Sequence, residues 1–169
     1  ASFIVKSIPE ENLPLSWAIL DKAYYFLMMA VQANQLDLVK NLTRNQGYLF
    51  RKGEGATFAI SYAIEFGRLE ILKHYVEEEN LNVDELSSRS SYGIGAKPQP
   101  LIYFAVNDKF RNSSILRYMV DCNKVNLTRL NKDNENILYS IVRGNHYKNM
   151  DYLDLKYILD EKRIGFDIK

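Results

Sequence analysis

The sequence predicts an all-α fold: a solenoid of repeated units, each a helix, a turn, a second helix and an extended hairpin-like arm. Three observations predict it. Apolar residues recur at helical spacing along much of the 169-residue chain, two segments match at a constant offset of 33 residues, and three later segments superpose without gaps. FLMMAVQANQLDLVKNL (26–42) lies over AISYAIEFGRLEILKHY (59–75), which sets Leu27 on Ile60, Ala30 on Ala63, Asn34 on Gly67, Val39 on Leu72 and Lys40 on Lys73. ILKHYVEEENLNVDEL (71–86), ILRYMVDCNKVNLTRL (115–130) and DLKYILDEKRIGFDI (154–168) share a helix of the type apolar-basic-x-x-apolar-acidic, a spacer and a short alternating tail. Leu81-Asn82-Val83, Val125-Asn126-Leu127 and Ile164-Gly165-Phe166 fill one slot of that tail.

Taken in order, residues 1–23 predict an N-terminal capping segment. PLSWAIL (14–20) imitates a first helix with Ala18 in the small-residue slot, but only 12 residues separate Ala18 from Ala30, too few for a unit. Trp17 is expected to pack on the first unit. The array then occupies 24–169, in units of about 24–52, 53–86, 97–130 and 131–169. Ala30, Ala63 and Ala105 place the smallest side chain where neighbouring first helices approach. Asn34, Gly67 and Asn145 follow the first helices, where a left-handed residue satisfies the last carbonyls. Leu38, Val39 and Leu42, then Ile71, Leu72, Tyr75 and Val76, stripe the second helices. A lone pair cannot bury such a stripe on both sides, so pairs must stack. LIYFAV (101–106) and ILYSIV (137–142) supply short first helices to the later units, and Asn131 and Asn134 suit a tight turn. Two features lengthen the repeat: SSRSSYGIGAK (87–97), expected to be an inserted polar loop, and GNHYKNMDY (144–152). Ile141 stands where the other units have alanine.

Composition narrows the chemistry. Hydrophobic residues make up 47% of the chain, enough to bury a core, and 22 Lys+Arg against 21 Asp+Glu leave a formal charge of +1. The one-sided basic field of a nucleic-acid binder is lacking. One cysteine, Cys122, cannot form an internal disulfide, which favours a reducing compartment. No apolar run approaches the ~20 residues of a membrane helix. The start, ASFIVKSIPEENLP, lacks the basic-then-apolar layout of a signal peptide and an initiator Met, as expected of a piece of a longer chain. His74 and His146 are the only histidines, neither at metal-ligand spacing; His74 is expected to be a partly exposed helical residue. Gly53/Gly55 and Gly93/Gly95 lack the third glycine of a dinucleotide site, and no base accompanies the serines at 87, 88, 90 and 91. Neither a catalytic apparatus nor a cofactor is expected.

These residues resemble ankyrin repeats, whose unit is a 33-residue β-turn and antiparallel helix pair. NKDNENILYSIVRGN (131–145) is similar to that family's hairpin and first helix, and the resemblance covers roughly 24–168, about four units. The Thr-Pro-Leu-His box is missing from all four: its places hold Tyr25-Phe26-Leu27-Met28, Phe58-Ala59-Ile60-Ser61, Pro100-Leu101-Ile102-Tyr103 and Asn136-Ile137-Leu138-Tyr139. A helical solenoid of HEAT or tetratricopeptide type stays open as the alternative, although its helices are longer and carry no arm.

The resemblance implies no chemistry of its own. It implies a scaffold that binds another protein or peptide on a concave face of hairpin tips and inner helices. By position in the unit that face takes Gln32, Glu65 and Phe66, Asn107 and Asp108, and Arg143, with Lys132, Asp133 and Glu135 at a tip; Phe66 is the candidate aromatic anchor. The rival is an intramolecular regulatory or structural segment of a larger transcription regulator, effector or enzyme. Glu77-Glu78-Glu79 ends a second helix where acidic charge opposes the helix dipole, and is expected to be a solvated face. Localisation is expected to be intracellular, cytoplasmic or nuclear, a host-delivered effector included.

Overall fold

A computed structural model describes residues 17–45, 54–84, 86–90, 93–106, 112–122, 125–143 and 152–160. The chain is mostly helical over these residues, as the all-α expectation requires. Helix α1 (Trp17–Gln32) contains neither Gly nor Pro, and runs unbroken through the position where the capping segment was expected to give way to the first unit. Trp17–Leu20 therefore belong to the same helix as Ala30, and the boundary expected near residue 23 falls inside α1; the packing of Trp17 lies outside the described side chains. Helix α2 (Leu36–Asn45) follows, with Asp37 in its first turn and Arg44 in its last, each matched to the dipole.

Helices α3 (Glu54–Glu65) and α4 (Leu69–Lys73) repeat that arrangement, and α4 widens into a π-helical turn, His74–Glu78. The two interhelical turns are the same in detail. After α1, Asn34 N–H bonds Val31 O (3.0 Å) and Gln35 N–H bonds Ala30 O (2.9 Å). After α3, Gly67 N–H bonds Ile64 O (3.2 Å) and Arg68 N–H bonds Ala63 O (2.7 Å). Asn34 (φ 57°) and Gly67 (φ 67°) both occupy the left-handed region, the geometry of a Schellman cap. Asn145 lies outside the described residues. An arginine from the second turn reaches back to the first: Arg68 Nη2 donates to Gln32 O at 2.5 Å.

The segment expected to be an inserted loop is instead an antiparallel ribbon, β1 (Leu86–Ser90) with β2 (Gly93–Pro100). Leu86 pairs with Pro100 and Ser90 with Gly93, the register slipping between Ser87 and Arg89. Serine and glycine give such a strand no side-chain pattern to detect; backbone pairing and the contact of β1 with α3 hold it. Pro98 and Pro100, which cannot donate to a ladder, sit on this two-stranded edge.

Helices α5 (Ile102–Ala105), α6 (Ser113–Asp121), α7 (Ile137–Arg143) and α8 (Tyr152–Asp160) complete the order. α5 is one turn long, yet every residue from Leu101 to Val106 is buried. Asn112 caps α6, its side chain accepting from Ile115 N–H at 3.1 Å. Neighbours in the chain are neighbours in space: α1 packs on α2 and α3, α3 on α4 and α5, α5 on α6, and α6 on α8, while α2 meets α4. The core follows the predicted stripes at Val39, Ile71, Leu72, Tyr75 and Val76, but Leu38, expected in the stripe, is exposed, and Leu42 is only partly buried. Leu27, Ala30, Ile60, Ala63, Ala105 and Ile141 line it from the first helices, and Val39, Ile71, Leu72, Ile115, Leu116 and Ile158 from the second.

The superposed tails also behave alike. Asp84 N–H bonds the Asn82 side chain (3.0 Å), and Thr128 N–H bonds the Asn126 side chain (2.9 Å). Between them Val83 and Leu127 are buried. The two arms are tied to each other, with Asn126 N–H on Asp84 Oδ1 at 2.9 Å and Arg129 Nη1 on Asp84 Oδ2 at 3.2 Å.

Candidate binding surface

The 131–135 turn is built on one side chain. Asn131 Oδ1 accepts from Asp133 N–H (2.8 Å) and Glu135 N–H (2.9 Å), while Asn131 N–H donates to Glu135 O (2.9 Å). Such local bonding is what asparagine offers a turn. Asn134 closes it at φ 60°, the left-handed conformation expected there. Asn131 Nδ2 reaches Ser140 Oγ on α7 (3.1 Å) and Glu135 Oε2 (3.0 Å), and Arg143 on the same helix pairs with Glu135. The turn is thereby fixed to α7 at two points.

Tyr103 fixes it from beneath. Its hydroxyl donates to Arg129 O at 2.6 Å, with Glu135 O also within reach at 3.0 Å. Burial, with the Glu135 carboxylate second, pushes the phenol up to about 12. The result is a preformed loop whose outer surface presents Lys132 and Asp133 to solvent beside Leu130, itself 50% exposed.

Four of the expected site residues, Lys132, Asp133, Glu135 and Arg143, therefore lie together. The others do not join them. Gln32 is exposed at the end of α1, and its backbone carbonyl holds Arg68. Glu65 is 0% exposed, so its expected place on an accessible face is corrected: the last turn of α3 points it into the interior. Phe66 is half-buried and ends a row of rings, Tyr24–Phe58 at 6.2 Å, Phe58–Tyr62 at 4.6 Å and Tyr62–Phe66 at 5.7 Å. It packs within the fold, and the anchor role is not what its surroundings favour. Asn107 and Asp108 lie outside the described residues. Leu130 and Ser140 went unnoticed in sequence; the signal available was Asn131, four residues before Glu135 and nine before Ser140.

The second helices carry a different set of polar ties. His74, expected to be partly exposed, is 4% exposed, because the widened π turn brings it inward beside Tyr75. Its Nδ1 lies 3.0 Å from Glu78 Oε2, and Lys40 Nζ on α2 donates to Glu78 Oε1 at 2.6 Å. The bond from Lys40, then that from His74, hold the Glu78 carboxyl below its ordinary value. Glu77 accepts from the Tyr118 hydroxyl on α6 at 2.9 Å. Farther along, the Arg117 guanidinium sits over the Tyr157 ring at 5.3 Å, and the Tyr157 hydroxyl donates to Asp121. Two members of the acidic run, expected to be merely solvated, thus join α2, the π turn and α6.

Among the described residues no group of three His, Cys, Asp or Glu is placed to hold a metal ion, and no helix is long and apolar enough to cross a membrane. Comparison with protein-family models, curated proteins and solved structures finds no match for the chain.

Proposed function

We propose that the chain is a protein-recognition module of the ankyrin-solenoid type, binding a partner protein or peptide through the outer surface of the 131–135 turn. One observation carries this reading. The 131–135 turn is rigidly tied to α7 by Asn131, Glu135 and Arg143, yet its outer side chains, Leu130, Lys132 and Asp133, make no contribution to that network and stand in solvent. A preorganised loop pays little ordering entropy on binding, and an apolar side chain rimmed by charges matches the anatomy of a recognition patch. The repeat reading itself is supported by the identical caps at Asn34 and Gly67 and the identical arms at Asn82 and Asn126. The test is quantitative affinity capture from cell extract with the parent chain and a Leu130→Ser/Lys132→Glu variant. A partner retained by the parent is expected to drop at least tenfold with the variant, at unchanged circular dichroism. Equal retention by both refutes this surface.

A further inference from the structure

The two ends of the stack carry exposed apolar faces. At the first end, Tyr25, Phe26, Met29 and Leu38 are exposed, Phe26 by 62%. Displaced by the 33-residue offset, the same slots hold Phe58, Ala59, Tyr62 and Ile71, which are half-buried or buried in a unit that has α1 and α2 against it. At the other end, Tyr139, Val142 and Leu159 are exposed. Val142 occupies the slot of Val31, Ile64 and Val106; it is 49% exposed where Val31 and Ile64 are 0%. Tyr139 occupies the slot of Tyr103, which is buried with its hydroxyl on Arg129 O of its own unit and within reach of Glu135 O of the following one. Leu159 stands where Val76 and Val120 are buried. Each end is thus a stacking face of the repeat with no unit upon it among the described residues. Stacks that end in water ordinarily close with polar terminal faces.

We propose that a second copy of the chain covers these faces, the Tyr25–Phe26–Met29–Leu38 face of one copy docking on the Tyr139–Val142–Leu159 face of the next. The slots themselves argue for this occupant. Inside the chain the helices that bear these slots already pack on one another, α1 on α3 and α2 on α4, so each end carries the complement of the other. The formal charge of +1 opposes such association only weakly. The contact is heterologous, so it does not close after two copies but propagates as an open chain. The inference rests on the repeat reading but makes no use of the 130–133 surface, so self-association at the ends and partner binding at that surface can fail independently.

Sedimentation velocity across a wide concentration series tests it, on the full chain and two variants with exposed substitutions, Phe26→Asp/Met29→Glu and Val142→Asp/Leu159→Glu. The parent is expected to exceed twice its 19.7 kDa monomer mass at the top of the series, without a plateau. Each variant alone is expected to remain monomeric. Their equimolar mixture is expected to form a dimer and nothing larger, since each then contributes one intact face. Thermal melts confirm that the variants fold; where a double variant melts early, Met29→Glu or Leu159→Glu alone replaces it. A parent that stays monomeric throughout overturns the proposal. So does assembly that survives either variant, or a mixture that stays monomeric.

Discussion

Replacing Gly67 tests the left-handed cap that closes α3. Its φ of 67° places it in the left-handed region, and a Cβ built there would overlap Asn112 Nδ2, with Asn112 Cγ at 3.2 Å. Two costs follow for Gly67→Ala. Forcing an L-residue left-handed costs about 1–2 kcal/mol. Displacing the Asn112 side chain, which caps α6 through Ile115 N–H, costs about 1 kcal/mol more. The sum, about 2–3 kcal/mol, corresponds to a fall in Tm of roughly 5–10 °C for a domain of this size. Gly67→Val is expected to be worse, because its branched Cβ adds atoms at the same clash. Gly67→Asn separates the terms: asparagine tolerates the backbone, so the overlap with Asn112 dominates what remains. Chemical denaturation of Gly67→Ala, Asn112→Gly and the double variant completes a thermodynamic cycle. The double variant is expected to be more stable than the sum of the single losses by on the order of 1 kcal/mol. A Gly67→Ala change of less than about 0.5 kcal/mol refutes the argument, since at that size an ordinary surface substitution explains it.

Three further outcomes are expected. Tyr103→Phe removes the hydroxyl beneath the 131–135 turn and is expected to cost about 1–2 kcal/mol in urea unfolding near neutral pH. The Tyr103 phenol is raised from 10.0 to about 12, so its folding contribution is intact below pH 10 and lost between there and 12; the Phe variant is expected to show a shallower alkaline decline. The Glu78 carboxyl is held below 4.5, so its contribution is present above that pH and lost as the pH falls beneath it, and Glu78→Gln is expected to flatten the acid limb of a stability–pH curve. Asn34→Gly is expected to leave stability within about 0.5 kcal/mol, whereas Asn34→Val is expected to lose about 1–2 kcal/mol, measured by thermal melts.

How much was legible depended on whether the determinant was local. The gapless 33-residue offset located both Schellman caps, because the requirement for a left-handed residue acts within a single turn and only glycine and asparagine meet it cheaply. The equivalence of the Asn82 and Asn126 segments was legible from their superposition, but they were expected to be extended and are instead closed by Asx turns, whose bonds span two residues. The ribbon at 86–100 was not, since Ser, Gly and Pro carry no alternation and the strands exist through pairing and the contact with α3. Within the candidate surface, the tip residues Lys132, Asp133 and Glu135 were found from turn position. Glu65 was misplaced because its slot, exposed in Gln32, is closed off in the second unit, which has neighbours on both sides.

By itself, then, the sequence determined the helical class, the left-handed caps at Asn34 and Gly67, and most of the apolar stripe positions that become core. Each of these is set by residues within a few positions of one another, through backbone sterics and helical period. The tertiary structure decided which equivalent slots are buried, that His74 turns inward, that Glu77 and Glu78 tie α2 and α6 together, and that the Asn131 turn is anchored to α7. Those outcomes depend on which helices lie alongside, a property no local stretch of sequence carries. Val142 and Val31 are the same residue type at matching positions of their helices, yet one is 49% exposed and the other 0%, a difference set by what packs around each.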